Sequence, residues 1–345
     1  MRSFLGKFFD NMKRSSIFLM IVPIIFAVIL SNLVTPFLYR SAPNDFARTQ
    51  LILKTIKNKK LHPDVVLFGS SILMSGINAR QLSDSLNNIK IYNFSSTGQT
   101  IKESMLYYPD LPKSTKTVVQ FMQTDEFQRD PDVYELKEPI MRNFLMFGYK
   151  PREDLNKLLA PSETEYFDAP KYLVDYQART IMVTAFNRSV RQFLRPDLQL
   201  DKANKELYFP NVYTKPLSPN EYGSRIAQEN PAHPINSITI NSKMMALLLK
   251  GRDYLKSKGI NLIIVVYPLN ADLYNYTDSY RKDFEVKIKQ VNALIPVVSC
   301  ADALLGTKGS FVDHEHVSRP GAKVLTGYLA VKLKKEVPEY FDNKF

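Results

Sequence analysis

Two short stretches, far apart in the chain, contain residues that together could carry out nucleophilic chemistry. The first is "FGSS" (68–71), in which Ser70 and Ser71 follow the apolar run "DVVLFG". The second is "FVDHEHVSRPGAK" (311–323), in which Asp313 and His316 are three residues apart. A serine nucleophile needs a base, and the base needs an acid that orients it. These residue types predict a Ser-His-Asp triad if the fold brings the two stretches together.

The paired serines have two interpretations. In the first, Gly69 permits a sharp turn after a strand, one serine caps the following helix and the other is the nucleophile. A helix amino terminus beside the nucleophile would also offer free N–H groups to an oxyanion. In the second, both serines only cap the helix. "FGSS" alone favours the second interpretation, and the Asp313–His316 pair favours the first.

The stretch from Asp313 to His316 also has alternatives. One is a solvated polar turn before the last helix. Another is a metal site, because Asp, His and Glu are all ligand types. Adjacent residues do not converge on one ion, however, and no other His or Cys cluster completes such a set. We therefore expect neither a metal nor a cofactor.

Strand-like and helical stretches alternate around these residues. Short β-branched runs predict strands at 64–69, 89–96, 116–123, 260–268 and 295–300. Helical patterns follow them, at 72–87, 100–111, 240–259, 280–294 and 319–337. This alternation predicts an α/β fold, with a parallel sheet covered by helices on both faces in three layers. The stretch from about 127 to 238 breaks the rhythm and predicts a helical insertion between the third and fourth strands.

The amino terminus predicts a membrane anchor. Residues 15–39 carry no charge, and about 20 apolar residues span a bilayer. The 14 residues before them include four basic residues and one acid, which places that end in the cytoplasm. The predicted order is a basic tail (1–14), one transmembrane signal anchor (15–39), a membrane-proximal connector (40–61) and an exported domain (62–345). A buried helix of a soluble protein is the alternative for the apolar run.

Composition narrows the class of protein. The chain has 345 residues and is 45% hydrophobic, which is typical of a folded protein with a sizeable core. Its net charge of +12 suits an anionic neighbourhood. No run of basic residues marks a nucleic-acid arm, so we expect no nucleic-acid partner. The single cysteine, Cys300, lies in an apolar stretch and is expected in the core.

These motifs resemble the SGNH (GDSL-type) hydrolase superfamily. In that family a strand ends on Gly-Asp-Ser, with serine as the nucleophile. Gly69-Ser70-Ser71 is similar, with Ser70 in place of the aspartate. The last block of the family, Asp-x-x-His, is matched by Asp313 and His316. The resemblance implies a flavodoxin-like arrangement in which Ser71 is the nucleophile, His316 the base and Asp313 the orienting acid.

Two further blocks of the family supply an oxyanion hole. The glycine of the second block is matched by Gly98 in "YNFSSTGQT". The third block is normally Gly-x-Asn-Asp, and here it reads "MQTD", with Thr124 in place of the asparagine and Asp125 as the final aspartate. The resemblance implies an oxyanion hole of Ser71, Gly98 and Thr124. It covers residues 62–126 and 240–335, approximately, and leaves out the insertion.

The Gly-Ser-Ser variant and the anchor are similar to a membrane-anchored branch of the superfamily, which includes the teichoic-acid D-alanylation D protein and alginate acetylation proteins. This implies an outward-facing serine acyl esterase or O-acyltransferase on the bacterial cytoplasmic membrane, with a periplasmic or extracellular domain. The expected partners are the lipid bilayer, a cell-surface glycan or acyl-carrying polymer, and a multi-span membrane-bound O-acyltransferase. The alternative is a catalytically degenerate scaffold that binds an assembly partner or polymer.

Overall fold

A computed structural model describes the greater part of the chain outside the amino terminus and the insertion. The described residues are 45–58, 61–132, 153–159, 207–210, 237–270, 277–307 and 309–341, with a few residues within 21–29 and 218–224.

Helices and strands alternate along the described residues. The strands are β1 (Val65–Phe68), β2 (Ile91–Asn93), β3 (Thr117–Met122), β4 (Asn261–Val266) and β5 (Val297–Ser299). The helices are α1 (Asp45–Lys57), α2 (Ser71–Gly76), α3 (Ala79–Ser85), α4 (Ile101–Met105), α5 (Ser242–Ser257), α6 (Asp278–Asn292) and α7 (Arg319–Glu336). Short 3-10 helices are Tyr108–Asp110, Asp125–Gln128, Glu153–Lys157 and Pro338–Tyr340. Each of the five predicted strands is present, and each is shorter than its apolar run.

The strands form one parallel sheet in the order β2-β1-β3-β4-β5. The chain first moves from β1 to one edge and then crosses back past β1 to β3. Open α/β sheets bind ligands at the carboxyl ends of the strands beside such a reversal. Ser71 directly follows β1, so it lies at this position.

Alternating side chains of the sheet face two separate cores. Val66 and Phe68 of β1 pack in the first core, which lies under α1, α5 and α6. Val65 and Leu67 pack in the second core, which lies under α2, α3 and α7. Successive side chains of a strand point to opposite faces, so a buried parallel strand must be apolar on both. The structure therefore has the three layers that the sequence predicts.

Helix α1 lies in the segment interpreted from the sequence as a connector. Its residues Ile52 and Leu53 are buried in the first core, so this part of the segment is packed against the α/β unit. The preceding apolar run lies largely outside the described residues. Those that are described, 21–23, 25, 26 and 29, are helical. Within the described part of the chain, no helix combines the length and hydropathy that a membrane crossing requires.

Two pieces of the insertion contact the α/β unit. The carboxylate of Asp154, in a 3-10 helix, accepts hydrogen bonds from Tyr254 Oη at 2.6 Å and Lys258 Nζ at 2.9 Å, both on or just after α5. Leu207 O accepts from the backbone N–H of Asn93 at 2.8 Å, so residues 207–208 cover the edge strand β2. The insertion's predicted helix at 171–194 lies outside the described residues.

A close contact at the start of α7 fixes the helix against the loop that precedes it. A Cβ added to Gly321 would lie 2.4 Å from Ser310 O and 2.7 Å from Val317 Cγ1. We expect Gly321→Ala to lower the free energy of unfolding by about 1–3 kcal/mol, because the backbone must move to accept the methyl group. Denaturant titration measures this change.

The matched control is Gly327→Ala on the same helix, where the nearest atom would be 4.0 Å away. This substitution should stabilise the protein by up to about 1 kcal/mol, since alanine is the better helix former. Equal effects of the two substitutions would contradict the packing argument.

Candidate active site

The loop before α7 is a short hairpin with a buried base and a polar tip. Phe311 and Val317 pair in an antiparallel bridge, and both are buried in the second core. Val312 N–H donates to His316 O at 2.9 Å. The residues between these anchors, 313–316, are held at the carboxyl edge of the sheet.

Ser318 fastens this hairpin to α7. Its hydroxyl accepts from Gly321 N–H at 3.2 Å as the helix cap and donates to Gly309 O at 2.7 Å. One side chain thus joins the amino terminus of α7 to the loop that precedes it.

The tip of the hairpin brings together the three residues of the predicted triad. His316 Nε2 lies 2.8 Å from Ser71 Oγ, and His316 Nδ1 lies 2.8 Å from Asp313 Oδ2. The neutral imidazole that satisfies both contacts carries its proton on Nδ1 and accepts from the serine hydroxyl at Nε2. This is the geometry in which a histidine removes a proton from a serine.

Asp313 is held in place by several donors. Its Oδ1 accepts from the backbone N–H groups of Glu315 at 3.0 Å and His316 at 2.6 Å. Burial acts to raise the pKa of the Asp313 carboxyl, but the hydrogen bonds and charge of His316 and the two backbone donors outweigh it and hold the pKa below its ordinary value. Asp313 therefore remains an anion that can orient the imidazole and stabilise its charged form.

Ser70 and Ser71 have different positions in the turn. Ser71 is the first residue of α2, and Ser70 is the residue before it. The Ser70 side chain makes no capping hydrogen bond. Ser70 is therefore a turn residue whose hydroxyl does not cap the helix; its backbone carbonyl accepts from Leu73 N–H at 3.1 Å and Met74 N–H at 3.3 Å.

Gly98 lies in the loop after β2, beside the Ser71 turn. Ser96 N–H donates to Gly69 O at 3.3 Å, and Thr97 Oγ1 is 4.0 Å from Met74 Sδ on α2. Gly98 has φ +67°, a backbone conformation that glycine adopts without strain. Its exposed turn is next to α2, the helix that Ser71 begins, and in the described structure Gly98 makes no hydrogen bond to Ser71.

Thr124 is the second residue after β3 and is buried. It precedes the 3-10 helix at Asp125–Gln128, and its hydroxyl does not cap that helix. Thr124 lines a groove that begins at the carboxyl ends of β3 and β4. As with Gly98, no hydrogen bond within the described residues joins it to Ser71. Donors of an oxyanion hole bond the substrate oxygen and not the nucleophile, so the hole of Ser71, Gly98 and Thr124 stays a prediction.

Glu315, which was interpreted from the sequence only as a possible metal ligand, lies beside the triad. Glu315 Oε1 is 3.8 Å from His316 Nε2, and Glu315 Oε2 accepts from Gln123 Nε2 at 3.0 Å. This bond joins the hairpin to the loop after β3. Gln123 directly precedes Thr124 in "MQTDEF", the stretch that resembles the third block. This position in the sequence could have indicated that Gln123 lies near the site.

Asn270 supports the hairpin from the loop after β4. It is buried, and its Nδ2 donates to Asp313 O at 3.1 Å. No motif marks this residue in the sequence, because its role depends on a backbone carbonyl that only the folded chain brings near. Within the described residues, no group of three or more His, Cys, Asp or Glu side chains is arranged to hold a metal ion.

The groove at Thr124 continues around the sheet edge at β5, between α6 and α7. It has a volume of about 630 Å³, a size typical of ligand sites. Aromatic side chains and charges of both signs line it, including Tyr280, Arg281, Glu285, Lys289, Asp302, Tyr328 and Lys332. Lys332 pairs with Glu336 at 2.7 Å, whereas Arg281 and Lys289 form no ion pair with any described residue.

Comparison with known proteins gives no relative from which a role could be transferred. No protein-family model and no curated protein matches the chain. The chemistry of the site is therefore inferred from its own residues.

The carboxyl of Glu126 makes the stability of the folded protein depend on pH. Burial raises its pKa from 4.5 to about 7, with Gln123 N–H and Arg129 lowering it and Asp125 and Glu315 raising it. The folded chain thus binds this proton more tightly than the unfolded chain between about pH 4.5 and pH 7. The contribution of Glu126 to stability is therefore greatest below this window and falls as the pH rises through it.

We expect Glu126→Gln to remove this dependence, because the amide keeps an acceptor for Gln123 N–H without a titrating proton. Relative to the parent protein, the variant should gain more free energy of unfolding at pH 8 than at pH 5. Glu339→Gln, at an exposed position, is the control and should not show this difference. A Glu126 variant whose stability follows the parent at both pH values would contradict the argument.

Proposed function

We propose that this protein is a serine acyl esterase or O-acyltransferase of the SGNH type. The observation that carries the proposal is the hydrogen-bonded chain from Ser71 Oγ through the His316 ring to the Asp313 carboxylate. The parallel sheet, with the nucleophile after its first strand and the Asp-x-x-His hairpin before its last helix, agrees with the resemblance in the sequence.

The reaction proceeds in two halves. His316 Nε2 takes the Ser71 proton while Ser71 Oγ attacks an ester carbonyl, and the resulting imidazolium is stabilised by Asp313. The tetrahedral intermediate collapses, the ester C–O bond breaks, and His316 returns the proton to the leaving alcohol. An acceptor hydroxyl, or water, then gives its proton to His316 and attacks the acyl-serine, which releases the new ester, or the acid, and restores Ser71.

The oxyanion requires donors near Ser71. The N–H groups of Ser71 and Gly98 are the backbone candidates, and Thr124 is the side-chain candidate. Losing one donor of such a hole costs about 3–4 kcal/mol in the transition state. Since Thr124 replaces an asparagine, with a shorter reach, the rival proposal remains a degenerate scaffold that binds a partner or polymer without catalysis.

Labelling with a serine-reactive fluorophosphonate separates these proposals. We expect Ser71→Ala to abolish labelling and His316→Ala to slow it strongly, because the alkoxide cannot form without the base. Ser70→Ala is the matched control: it should leave labelling intact and change stability little, since the Ser70 side chain caps nothing. An intact protein that is not labelled, with Ser71 accessible, would favour the scaffold.

The groove beside Thr124 is the proposed site for a glycan acceptor. Carboxylates such as Glu285 can accept hydrogen bonds from sugar hydroxyls, and Arg281 and Lys289 can donate to hydroxyls or anionic groups. The Tyr328 ring, with Lys332 Nζ 5.7 Å from its centre, offers an apolar face to a sugar ring. Holding the acceptor close raises its effective concentration, which favours transfer over hydrolysis.

We expect the double variant Arg281→Gln/Lys289→Gln to raise the KM for an acidic oligosaccharide acceptor by roughly tenfold at low salt, since each exposed charge contact contributes up to about 1 kcal/mol. The matched control is Lys282→Gln/Lys287→Gln, which removes the same charge from the same helix at positions that do not line the groove. Steady-state kinetics measure both variants. Equal effects would indicate a general charge effect and contradict the groove as the acceptor site.

We further propose that the protein is held at the bacterial cytoplasmic membrane by residues 15–39, with the catalytic domain outside the cytoplasm. The uncharged run, its basic flank and the net charge of +12 support this orientation. A multi-span O-acyltransferase in the same membrane would be a suitable partner, because it could supply the acyl groups that the anchored enzyme transfers.

A reporter that is active only outside the cytoplasm, fused after Phe345, tests the orientation. We expect full reporter activity in the fusion, because a single span with a cytoplasmic amino terminus exports everything after it. Activity from a reporter that works only in the cytoplasm would contradict both the anchor and its direction.

A further inference from the structure

We propose that Arg48 of α1 is a positioning residue for the active site. Its side chain holds the loop 93–98 in the arrangement that catalysis needs. The inference rests on the proposed function, because this loop carries Gly98, the backbone candidate for the oxyanion hole. It also gives helix α1, which follows the predicted membrane anchor in the sequence, a part in forming the site.

Arg48 is buried, with no exposed surface. Its Nε donates to Ser95 O at 2.8 Å and its Nη2 donates to Asn93 O at 2.5 Å. Burying a charge is costly unless it is hydrogen-bonded and balanced. The buried guanidinium of Arg48 therefore lies where it can bond two backbone carbonyls of one loop.

A buried carboxylate supplies a negative charge near the same tyrosine on which Arg48 acts. Glu103 is also buried, and Arg48 and Glu103 both act on Tyr107. Burial raises the pKa of that tyrosine, with the Thr49 hydrogen bond lowering it, Glu103 raising it and Arg48 lowering it. Arg48 and Glu103 thus act with opposite charge on the same buried tyrosine.

The loop that Arg48 holds is joined in turn to the nucleophile's helix. Asn93 Oδ1 accepts from Ser95 N–H at 3.0 Å and from the Ser95 hydroxyl. Asn93 Nδ2 lies 3.5 Å from Leu73 O, two residues after Ser71 in α2. Ser96 N–H donates to Gly69 O. A displacement of Arg48 would therefore reach both the Ser71 turn and the turn at Gly98.

A guanidinium suits this role better than another cation. Its planar group presents several donors in fixed directions, so one side chain can bond two carbonyls at once, whereas a lysine offers a single point of charge. Helix α1 also packs on the core through apolar side chains such as Ile52. Truncation of Ile52 weakens this packing without removing a hydrogen bond to the 93–98 loop, and it provides the control.

The experiment compares Arg48→Met and Arg48→Lys with Ile52→Ala in the full-length, detergent-solubilised protein. Two quantities are measured: hydrogen exchange of the backbone amides in a peptide covering residues 94–100, and the rate at which fluorophosphonate labels Ser71. The denaturation midpoint of each variant is measured alongside, so that global destabilisation can be separated from a local effect.

We expect Arg48→Met to raise exchange in this peptide and to slow labelling by about tenfold or more, because small misplacements of oxyanion donors are costly. Arg48→Lys should show the same pattern to a lesser degree, and it serves alone if Arg48→Met does not fold. Ile52→Ala should lower the midpoint without a selective change in the peptide.

Similar loop exchange in the Arg48 and Ile52 variants at matched stability would overturn the proposal and leave Arg48 a structural residue only. Unchanged exchange in a folded Arg48 variant would overturn it as well. If the parent protein is not labelled at all, the proposed function fails, while the exchange measurement still decides whether Arg48 positions the loop.

Discussion

The candidate site depends on the hydrogen bond between His316 and Ser71. This bond joins residues that lie near opposite ends of the folded part of the sequence. The two residues lie 245 positions apart. They meet because Ser71 follows a central strand and His316 lies on a hairpin fixed to the last helix. In a parallel sheet every strand ends at the same edge, so groups that follow different strands converge there. The two cores on either side of the sheet keep that edge rigid.

Rigidity at this edge comes from buried polar contacts more than from the short elements themselves. Helix α2 has 6 residues, too few for independent stability, and it depends on packing and on the loops around it. Asn270 and Gln123 hold the hairpin from the loops after β4 and β3, and Arg48 holds the loop after β2. Each is a side chain that bonds to a neighbouring segment, so within the described residues these loops are fixed to the hairpin or to α1.

The charges near the triad are unequal in their roles. Asp313 is kept ionised by donors that surround it, whereas Glu126 is pushed toward its neutral form by burial and neighbouring carboxylates. Glu315 adds a second carboxylate within 3.8 Å of His316 Nε2. Environments that separate the pKa values of nearby carboxyl groups are common where proton transfer takes place. The unequal environments of Asp313 and Glu126 have this property.

The sequence by itself determined the strands and the layers, because apolar runs are local signals. It predicted the three residues of the triad from the paired serines and the spacing of Asp313 and His316. It did not decide whether Ser70 is a cap or a turn residue, or that the segment interpreted as a connector contains a helix packed on the core, since both depend on the packing around them. Only the tertiary structure decided that Gln123, Asn270 and Arg48 support the site. Their partners are a distant carboxylate and backbone carbonyls of distant loops, and such contacts leave no pattern in the sequence because they depend on where the fold places the chain.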